Sequence, residues 1–399
     1  TLCRSSAASD VYKRQVERYE GLGVNCLSGD AKVIDPWTVE IDGKKYTGKN
    51  LVVATGAEAF VPPIKGVQDV PYLTTETLWK LKELPNNFLV LGGGPIGCEM
   101  AQSFARLGAK VTIVEMAPRL LIREEIEASQ LLEESFKEEG IEVLTGYKAE
   151  NFFGDDGSHT LLCKNSEGQE KLVSFDKVLI ALGRRARTKG FGLETLGVEV
   201  APNGTIVHDE FLRSKFPNVF VCGDVAGPYQ FTHTAAHQAW YAAVNALFQP
   251  LKKFKVDYSV IPWATFTDPE IARVGLNRSD ALANGMKEGI DFEVTEYPLD
   301  DSDRAIAEGK EKGFIRVLTP VGKDRILGAT IVGLNAGELL SNFVIAMKHG
   351  LGLNKLLGTI YAYPTLSEAA KMTAGRWKNA HKPKGALRFL EKFHRWRKN

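Results

Sequence analysis

The sequence is short of paired cysteines. Cys3, Cys26, Cys98, Cys163 and Cys222 are scattered with no CxxC and no zinc-ligand spacing. That argues against a structural metal or a disulfide scaffold and fits free thiols in a reducing compartment. It also lacks an excess of either charge: 50 Lys and Arg stand against 49 Asp and Glu, a formal +1, so no overall basic field draws in nucleic acid. No apolar run approaches the ~18 residues of a membrane span, and there is no internal repeat or low-complexity stretch. What is present is ordinary globular composition, 44% hydrophobic and 25% charged over 399 residues, enough for two or three domains. A soluble, cytoplasmic protein is the expectation.

Thr1–Gln15 (TLCRSSAASDVYKRQ) carries no apolar period and no helix cap. Ser5–Gln15 reverse-translates, codon by codon, as a transposase adapter used in building sequencing libraries, so residues 1–15 are set aside as non-native. On this reading the frame is cut upstream and the native start is lost. From Val16, short strand-like pieces at Trp37–Ile41 and Asn50–Ala54 are broken by the turn signals Asp42-Gly43 and Gly56. Pro62-Pro63, Gly66 and Pro71 place a boundary near residue 63. Between Asn87 and Leu144 the hydrophobic period switches repeatedly. It predicts strand Phe88–Leu91, helix Pro95–Leu107, strand Lys110–Val114, helix Glu124–Glu138 and strand Ile141–Leu144, a βαβαβ unit. Residues 154–177 read as turn-rich with short alternating strands, and Val178–Leu182 as an apolar strand stopped by Gly183. Val219–Cys222 is another strand, ended by Gly223-Asp224 and leading into a helix over about Thr232–Phe248. From Val256 to about Trp377 strands and helices alternate without a nucleotide fingerprint, as in a separate α+β domain.

Gly92-Gly93-Gly94-Pro95-Ile96-Gly97 is GxGxxG between a predicted strand and a predicted helix. Gly92 permits the tight turn, Gly94 lets the backbone approach a pyrophosphate, and Gly97 with Ala101 lets helix and strand pack closely. Phosphates then meet the helix N-terminus, where unpaired N–H groups and the macrodipole favour negative charge. Glu115 ends the next strand, where an acid accepts hydrogen bonds from the adenosine ribose hydroxyls. NADH is expected over NADPH, because a 2′-phosphate would face this carboxylate, although Arg119 lies close by in sequence.

Ala54-Thr55-Gly56 and Gly223-Asp224 each close a strand, and strand-end loops are where α/β sheets take ligands. Asp224 is read either as an Asx turn or as a ligand. These join, in order, Pro262, Phe266-Thr267-Asp268-Pro269-Glu270, Gly275 and Tyr363-Pro364-Thr365-Leu366-Ser367-Glu368. The set resembles the class I pyridine nucleotide-disulfide oxidoreductases, which include dihydrolipoamide dehydrogenase, glutathione reductase and mercuric reductase. The resemblance runs from Val16 to about Trp377. It implies an α/β fold of two Rossmann-like, three-layer ββα nucleotide-binding domains, the FAD one incomplete, with a C-terminal α+β dimerisation domain. The implied division is 16–62 and 186–255 for FAD, 63–185 for NAD(H), 256–377 for a homodimer interface and 378–399 for a tail.

Carried over by position, Ala54, Thr55 and Gly56 form the loop where the chain leaves the FAD domain, and Gly183 with Arg184 the return to it. Asp224 would hydrogen-bond the ribityl chain of FAD. Phe231, Thr232 and His233 would open a helix aimed at the flavin pyrimidine end, where a helix N-terminus stabilises the charge of a reduced flavin. His233 is otherwise a cap or a core histidine. Glu99 matches the family acid near the nicotinamide, and Tyr363 and Glu368 from a partner subunit would line the substrate face.

Two departures from the family are visible. Its N-terminal segment, with a further GxGxxG and a CxxxxC redox pair, has no counterpart, which the adapter reading attributes to truncation. Tyr363 stands where the disulfide reductases carry His before Pro-Thr as a base paired with a Glu. A tyrosine near pKa 10 is a hydrogen-bond donor at neutral pH and a poor base. Mercuric reductase also resembles the chain in having Tyr there, but its C-terminal vicinal cysteines have no match after Cys222. Tyr363 is therefore either substrate-facing or an interface aromatic.

The activity so implied passes hydride from NAD(P)H through FAD and a redox disulfide to a thiol, disulfide or metal-ion acceptor. Alternatives are NADH oxidation by quinone or oxygen, or transhydrogenation, without a redox disulfide; the 399 residues alone read as an NAD(H)-binding, dimerising module without turnover. Lys378–Asn399 holds eight basic residues against Glu391, a charge of +7 that leaves −6 for the rest. With Leu387, Phe389, Leu390, Phe393 and Trp396 it forms a basic amphipathic helix, either a solvated or partner-docked tail or a peripheral contact with an anionic membrane surface.

Overall fold

The computed structural model describes residues 15–155 and 158–398. The segment read as non-native thus lies outside the described residues, except for Gln15, which begins a short helix over 15–21. The chain forms two compact units. One runs up to Gly97 and takes in Phe104–Met116 and Gly146–Tyr258; the other comprises Cys98–Ser103, Ala117–Thr145 and Ser259–Asn399.

In the first unit, parallel strands Tyr72–Leu73, Lys177–Ile180, Asn87–Leu91 and Lys110–Glu115 lie side by side in that order. Phe88, Leu89, Val90, Leu91, Val111, Ile113, Val114, Val178, Leu179 and Ile180 are all buried. Such unbroken apolar runs are what parallel strands covered on both faces require. Phe104 of the helix Pro95–Arg106 stacks on Phe88 with ring centroids 4.3 Å apart, which seats the helix on the sheet. Pro95 at its first position costs nothing, since an N–H there would have no helical acceptor and proline lacks one.

The stretch read as short strands is a three-stranded antiparallel sheet, Tyr147–Asp155, Ser158–Asn165 and Glu170–Phe175. Its strands are longer than expected because polar residues such as Lys148, Glu150 and Lys164 occupy one face. Phe152, Leu161, Cys163, Val173 and Phe175 are buried on the other.

The remaining part of this unit pairs Leu51–Val53 in parallel with Val219–Val221, and Ala57–Ala59 antiparallel with Arg184–Ala186. A meander of Ala31–Asp35, Thr38–Ile41 and Lys44–Thr47 packs nearby, its second turn made by Asp42 and Gly43 at φ 50° and 80°. Two left-handed residues match the twist of a tight hairpin. Val33, Val53, Leu193, Ile206, Val219, Val221 and Val225 form the shared core, and the helix Thr232–Phe248 follows the second parallel strand.

In the second unit an antiparallel sheet has the order Pro262–Thr265, Glu270–Gly275, Gly328–Gly333, Phe314–Thr319, Glu293–Pro298. Helices Ala336–Lys348 and Glu368–Ala380 bury Leu340, Phe343, Ala370 and Trp377 in one cluster with Val274, Ile315 and Ile331 of the strands. The helix Ile126–Glu138 starts two residues later than expected. Glu124 and the N-cap residue Glu125, which makes no side-chain cap bond, are buried: Glu124 accepts the Trp263 indole N–H at 2.8 Å, and Glu125 lies 3.2 Å from the Arg316 guanidinium. The final helix, Lys384–Lys398, has no buried residue. Among the described residues no helix is long and apolar enough to cross a membrane.

Candidate functional site

The loop Gly92–Gly97 has the geometry its glycines imply. Gly92 sits at φ +112°, and a Cβ on Gly97 would stand 1.9 Å from the Gly92 carbonyl oxygen, so neither position tolerates a side chain. A Cβ on Gly94 would meet nothing within 4 Å. That combination, crowding behind the loop and open space in front of it, is what close approach of a pyrophosphate needs. Glu115 ends its strand as expected. Its carboxylate accepts the Gly93 N–H at 2.5 Å, so it fixes the loop. These donors and this acid fit a dinucleotide.

Arg119, of the second unit, is spent on the chain around it. Its guanidinium donates to the carbonyls of Leu121, Ile122 and Glu124 and to the Ser129 hydroxyl, at 2.6–3.1 Å.

Two strand ends lie together elsewhere in the first unit. Leu51–Val53 and Val219–Val221 run parallel, so Ala54-Thr55-Gly56 and Gly223-Asp224 leave adjacent strands at the same, carboxyl end. The Thr55 hydroxyl donates to the Arg187 carbonyl at 2.7 Å, and the Arg187 N–H to the Gly56 carbonyl at 2.9 Å. The strand expected over Val178–Leu182 ends at Ile180, ahead of Gly183, and Arg184 begins the next one. Its guanidinium donates to the Ala57 carbonyl at 2.7 Å and to the Thr75 hydroxyl at 3.2 Å, with the Asp224 carboxylate 3.8 Å away. The turn Gly223–Val225 is held by Gln238, a residue the sequence reading passed over. Gln238 is fully buried. Its side-chain oxygen accepts the Gly223 N–H at 2.7 Å, and its nitrogen donates to the Gly227 carbonyl at 2.6 Å and the Tyr258 hydroxyl at 2.7 Å. The only signal in the sequence was an uncharged amide inside an alanine-rich helix.

His233 is neither a cap nor a core histidine. The cap of its helix is Phe231, without a side-chain cap bond, and His233 is exposed and stacked on the Phe231 ring at 5.2 Å. Thr232 is exposed beside it, while the Thr234 hydroxyl is buried with no hydrogen-bond partner. An orphaned hydroxyl in the first turn of a 17-residue helix, beside an acid and two glycine-bearing strand ends, fits a polar cofactor such as FAD.

In the second unit, Glu99 joins two sequence motifs. Its carboxylate accepts the Phe266 N–H at 2.9 Å, and burial holds its pKa above the usual carboxylate range. One turn on, Gln102 exchanges two hydrogen bonds with Asp268, at 2.7 and 2.9 Å, and donates to Glu139 at 2.7 Å. Gln102 was also missed, for the same reason as Gln238. Tyr363 is 69% exposed, and its hydroxyl donates to Asp303 at 2.8 Å. That bond, the Asp303 charge and the Glu368 charge all push its pKa up, so it stays protonated at neutral pH. Glu368 opens the helix Glu368–Ala380, an acid in a first turn where the macrodipole favours it. Among the described residues no group of three or more His, Cys, Asp or Glu side chains is placed to hold a metal ion.

The chain is 36% identical over 353 residues to a dihydrolipoyl dehydrogenase of Thermus scotoductus, covering 88% of this chain and 74% of that one. It is 32% identical over 362 residues to a mercuric reductase of Staphylococcus aureus and over 360 residues to one of Bacillus cereus, covering 91% and 90% of this chain. The chain spans 65% and 56% of those two relatives' lengths. Among solved structures, the HOCl-induced flavoprotein disulfide reductase RclA from Escherichia coli superposes with a TM-score of 0.82 at 26% identity, covering 93% of this chain and 84% of that one. The pyridine nucleotide-disulphide oxidoreductase profile matches residues 4–239 and that family's dimerisation-domain profile residues 261–374. Matched in both of its parts, the chain belongs to the pyridine nucleotide-disulphide oxidoreductase family.

Proposed function

We propose that the protein is an FAD-dependent NAD(P)H oxidoreductase that prefers NADH and delivers electrons to a thiol, disulfide or metal-ion acceptor. The observation that carries this is the pairing of one open glycine loop, closed by Glu115, with a second glycine-and-acid strand end at Gly223-Asp224 in the same unit. Gly92–Gly97 would hold the dinucleotide pyrophosphate on the N-terminus of Pro95–Arg106. The Glu115 carboxylate would accept from the ribose hydroxyls and repel a 2′-phosphate. Arg119 does not counter that repulsion, since its guanidinium is engaged by three carbonyls.

Ala54–Gly56, Gly183, Arg184, Asp224 and the Phe231–His233 helix entry would hold FAD. When bound, FAD supplies two-electron redox chemistry between the nicotinamide and the acceptor. Asp224 would accept hydrogen bonds from the ribityl hydroxyls, and the helix N-terminus at Thr232 would stabilise negative charge on the ring. Glu99 would position the segment Phe266–Asp268 while lying near the nicotinamide. Tyr363 and Glu368, offered to a partner subunit in a homodimer of the second units, would face the acceptor, Tyr363 not as a base, since its hydroxyl stays protonated and donates to Asp303. Residues 16–62 with 186–255 would serve FAD, 63–185 NAD(H) and 256–377 dimerisation, in a cytoplasmic protein.

The test is reconstitution of the chain with FAD followed by anaerobic addition of NADH. Retained flavin whose visible absorbance is bleached by NADH supports the reading. A protein that binds NADH but never retains flavin reduces it to a dinucleotide-binding, dimerising module, and one that binds neither overturns it.

A further inference from the structure

The helix Lys384–Lys398 is the one long amphipathic helix whose apolar side is left in solvent among the described residues. Leu387 is 46% exposed, Phe389 68%, Leu390 45% and Trp396 73%. At ~100° of turn per residue, Phe389, Phe393, Ala386 and Leu390 form the centre of one face, with Trp396 and Leu387 at its two borders. Lys384, Arg388, Lys392, Arg395 and Lys398 share the opposite face with a single acid, Glu391, which Arg395 pairs at 2.5 Å. Lys392 lies next to Trp396 and Lys398 next to Leu387, so cations flank the apolar arc on both sides. Arg397 and His394 also fall within the apolar arc, Arg397 in the last turn with its guanidinium 5.8 Å from the Phe393 ring. The basic surface continues through exposed Lys378 and Lys382 at the root of the helix.

We infer that this helix lies in the surface plane of an anionic lipid bilayer and attaches the second unit to it peripherally. The occupant follows from the arrangement. An apolar face bordered by cations on both sides lets the rings enter the acyl boundary while the lysine and arginine stems reach back to headgroup phosphates. A net +5 over 15 residues complements anionic headgroups and rules out spanning. The inference is independent of the loops proposed for dinucleotide and flavin at Gly92–Gly97 and Gly223-Asp224, which lie in the first unit.

The test is co-sedimentation of the full chain with phosphatidylcholine vesicles and with vesicles containing about 30% phosphatidylglycerol. The expected result is partition at least about tenfold greater onto the anionic vesicles, lost in about 0.5 M salt. Arg388→Glu with Lys392→Glu should abolish it, and Phe393→Ser with Trp396→Ser should weaken it about tenfold. Both double variants should keep the NADH affinity of the parent chain, which shows that they fold. Equal binding to both vesicle types, no binding to either, or anionic binding indifferent to the charge reversal would overturn the inference. So would self-association in solution that Trp396→Ser removes while no vesicle binding occurs, since the face would then belong to a second copy.

Discussion

The Glu99 carboxylate accepts the backbone N–H of Phe266 at 2.9 Å, which ties the helix that begins at the glycine loop to the Phe266–Glu270 motif 167 residues further on. Gln102 repeats the tie at Asp268 one helical turn later. An acid expected only for its cofactor thus helps hold the second unit together.

Glu99→Gln keeps an acceptor for Phe266 and removes the cost of burying a charge. Burial raises the Glu99 pKa above its ordinary 4.5. For a raised acid, the favourable contribution is complete below the unfolded value and is lost as pH rises through the folded one. The stability difference in favour of Gln should therefore grow as pH rises from 4.5. Denaturant melts of both proteins across that range check it, and a constant difference would contradict it.

Gly97→Ala and Gly94→Ala should separate folding from binding. A methyl on Gly97 meets the Gly92 carbonyl at 1.9 Å, so the variant should lose ~2 kcal/mol or more of stability. A methyl on Gly94 meets nothing within 4 Å, so the fold should hold within ~0.5 kcal/mol. NADH affinity should nevertheless fall at least about tenfold, because the backbone can no longer approach the pyrophosphate. Thermal melts with and without NADH read both effects.

Arg316 is buried against Glu125 at 3.2 Å, Glu127 at 2.9 Å and Glu296 at 2.6 Å. Arg316→Ala leaves Glu125 uncompensated and should cost ~3–5 kcal/mol. The Arg316 hydrogen bond also holds the Glu127 pKa below its ordinary 4.5. A depressed acid contributes stability above its unfolded value and loses it as pH falls through the folded one. The variant should therefore lose part of the parent chain's acid sensitivity below pH 4.5, read from acid-unfolding curves.

Gln238→Leu strips the Gly223 N–H and the Gly227 carbonyl of their partner in a fully buried place. Each unsatisfied group costs ~1–3 kcal/mol. Loosening the Gly223–Val225 turn should also weaken FAD retention more than NADH binding, measured by flavin fluorescence after gel filtration and by NADH titration.

Local patterns in the sequence carried much of this architecture. The apolar runs at Phe88–Leu91 and Val178–Ile180 are strands, and the expected helix Thr232–Phe248 has those bounds. The glycine loop was legible because the crowded turn between strand and helix admits only glycine at Gly92 and Gly97. What stayed hidden depends on partners remote in sequence. Gln102 and Gln238 look like solvated amides until Asp268 and Gly223 are brought to them. The delayed helix start at Ile126 follows from the pull of Trp263 and Arg316 on Glu124 and Glu125, and no local propensity encodes either.

In the proposed function Glu115 sets the dinucleotide site for NADH. Calorimetric titration of the chain with NADH and NADPH tests it most directly. The expected result is NADH binding at least about tenfold tighter, with the gap closed in Glu115→Ala. Equal affinity for the two in the parent chain would contradict the role of Glu115, and binding of neither would contradict the account.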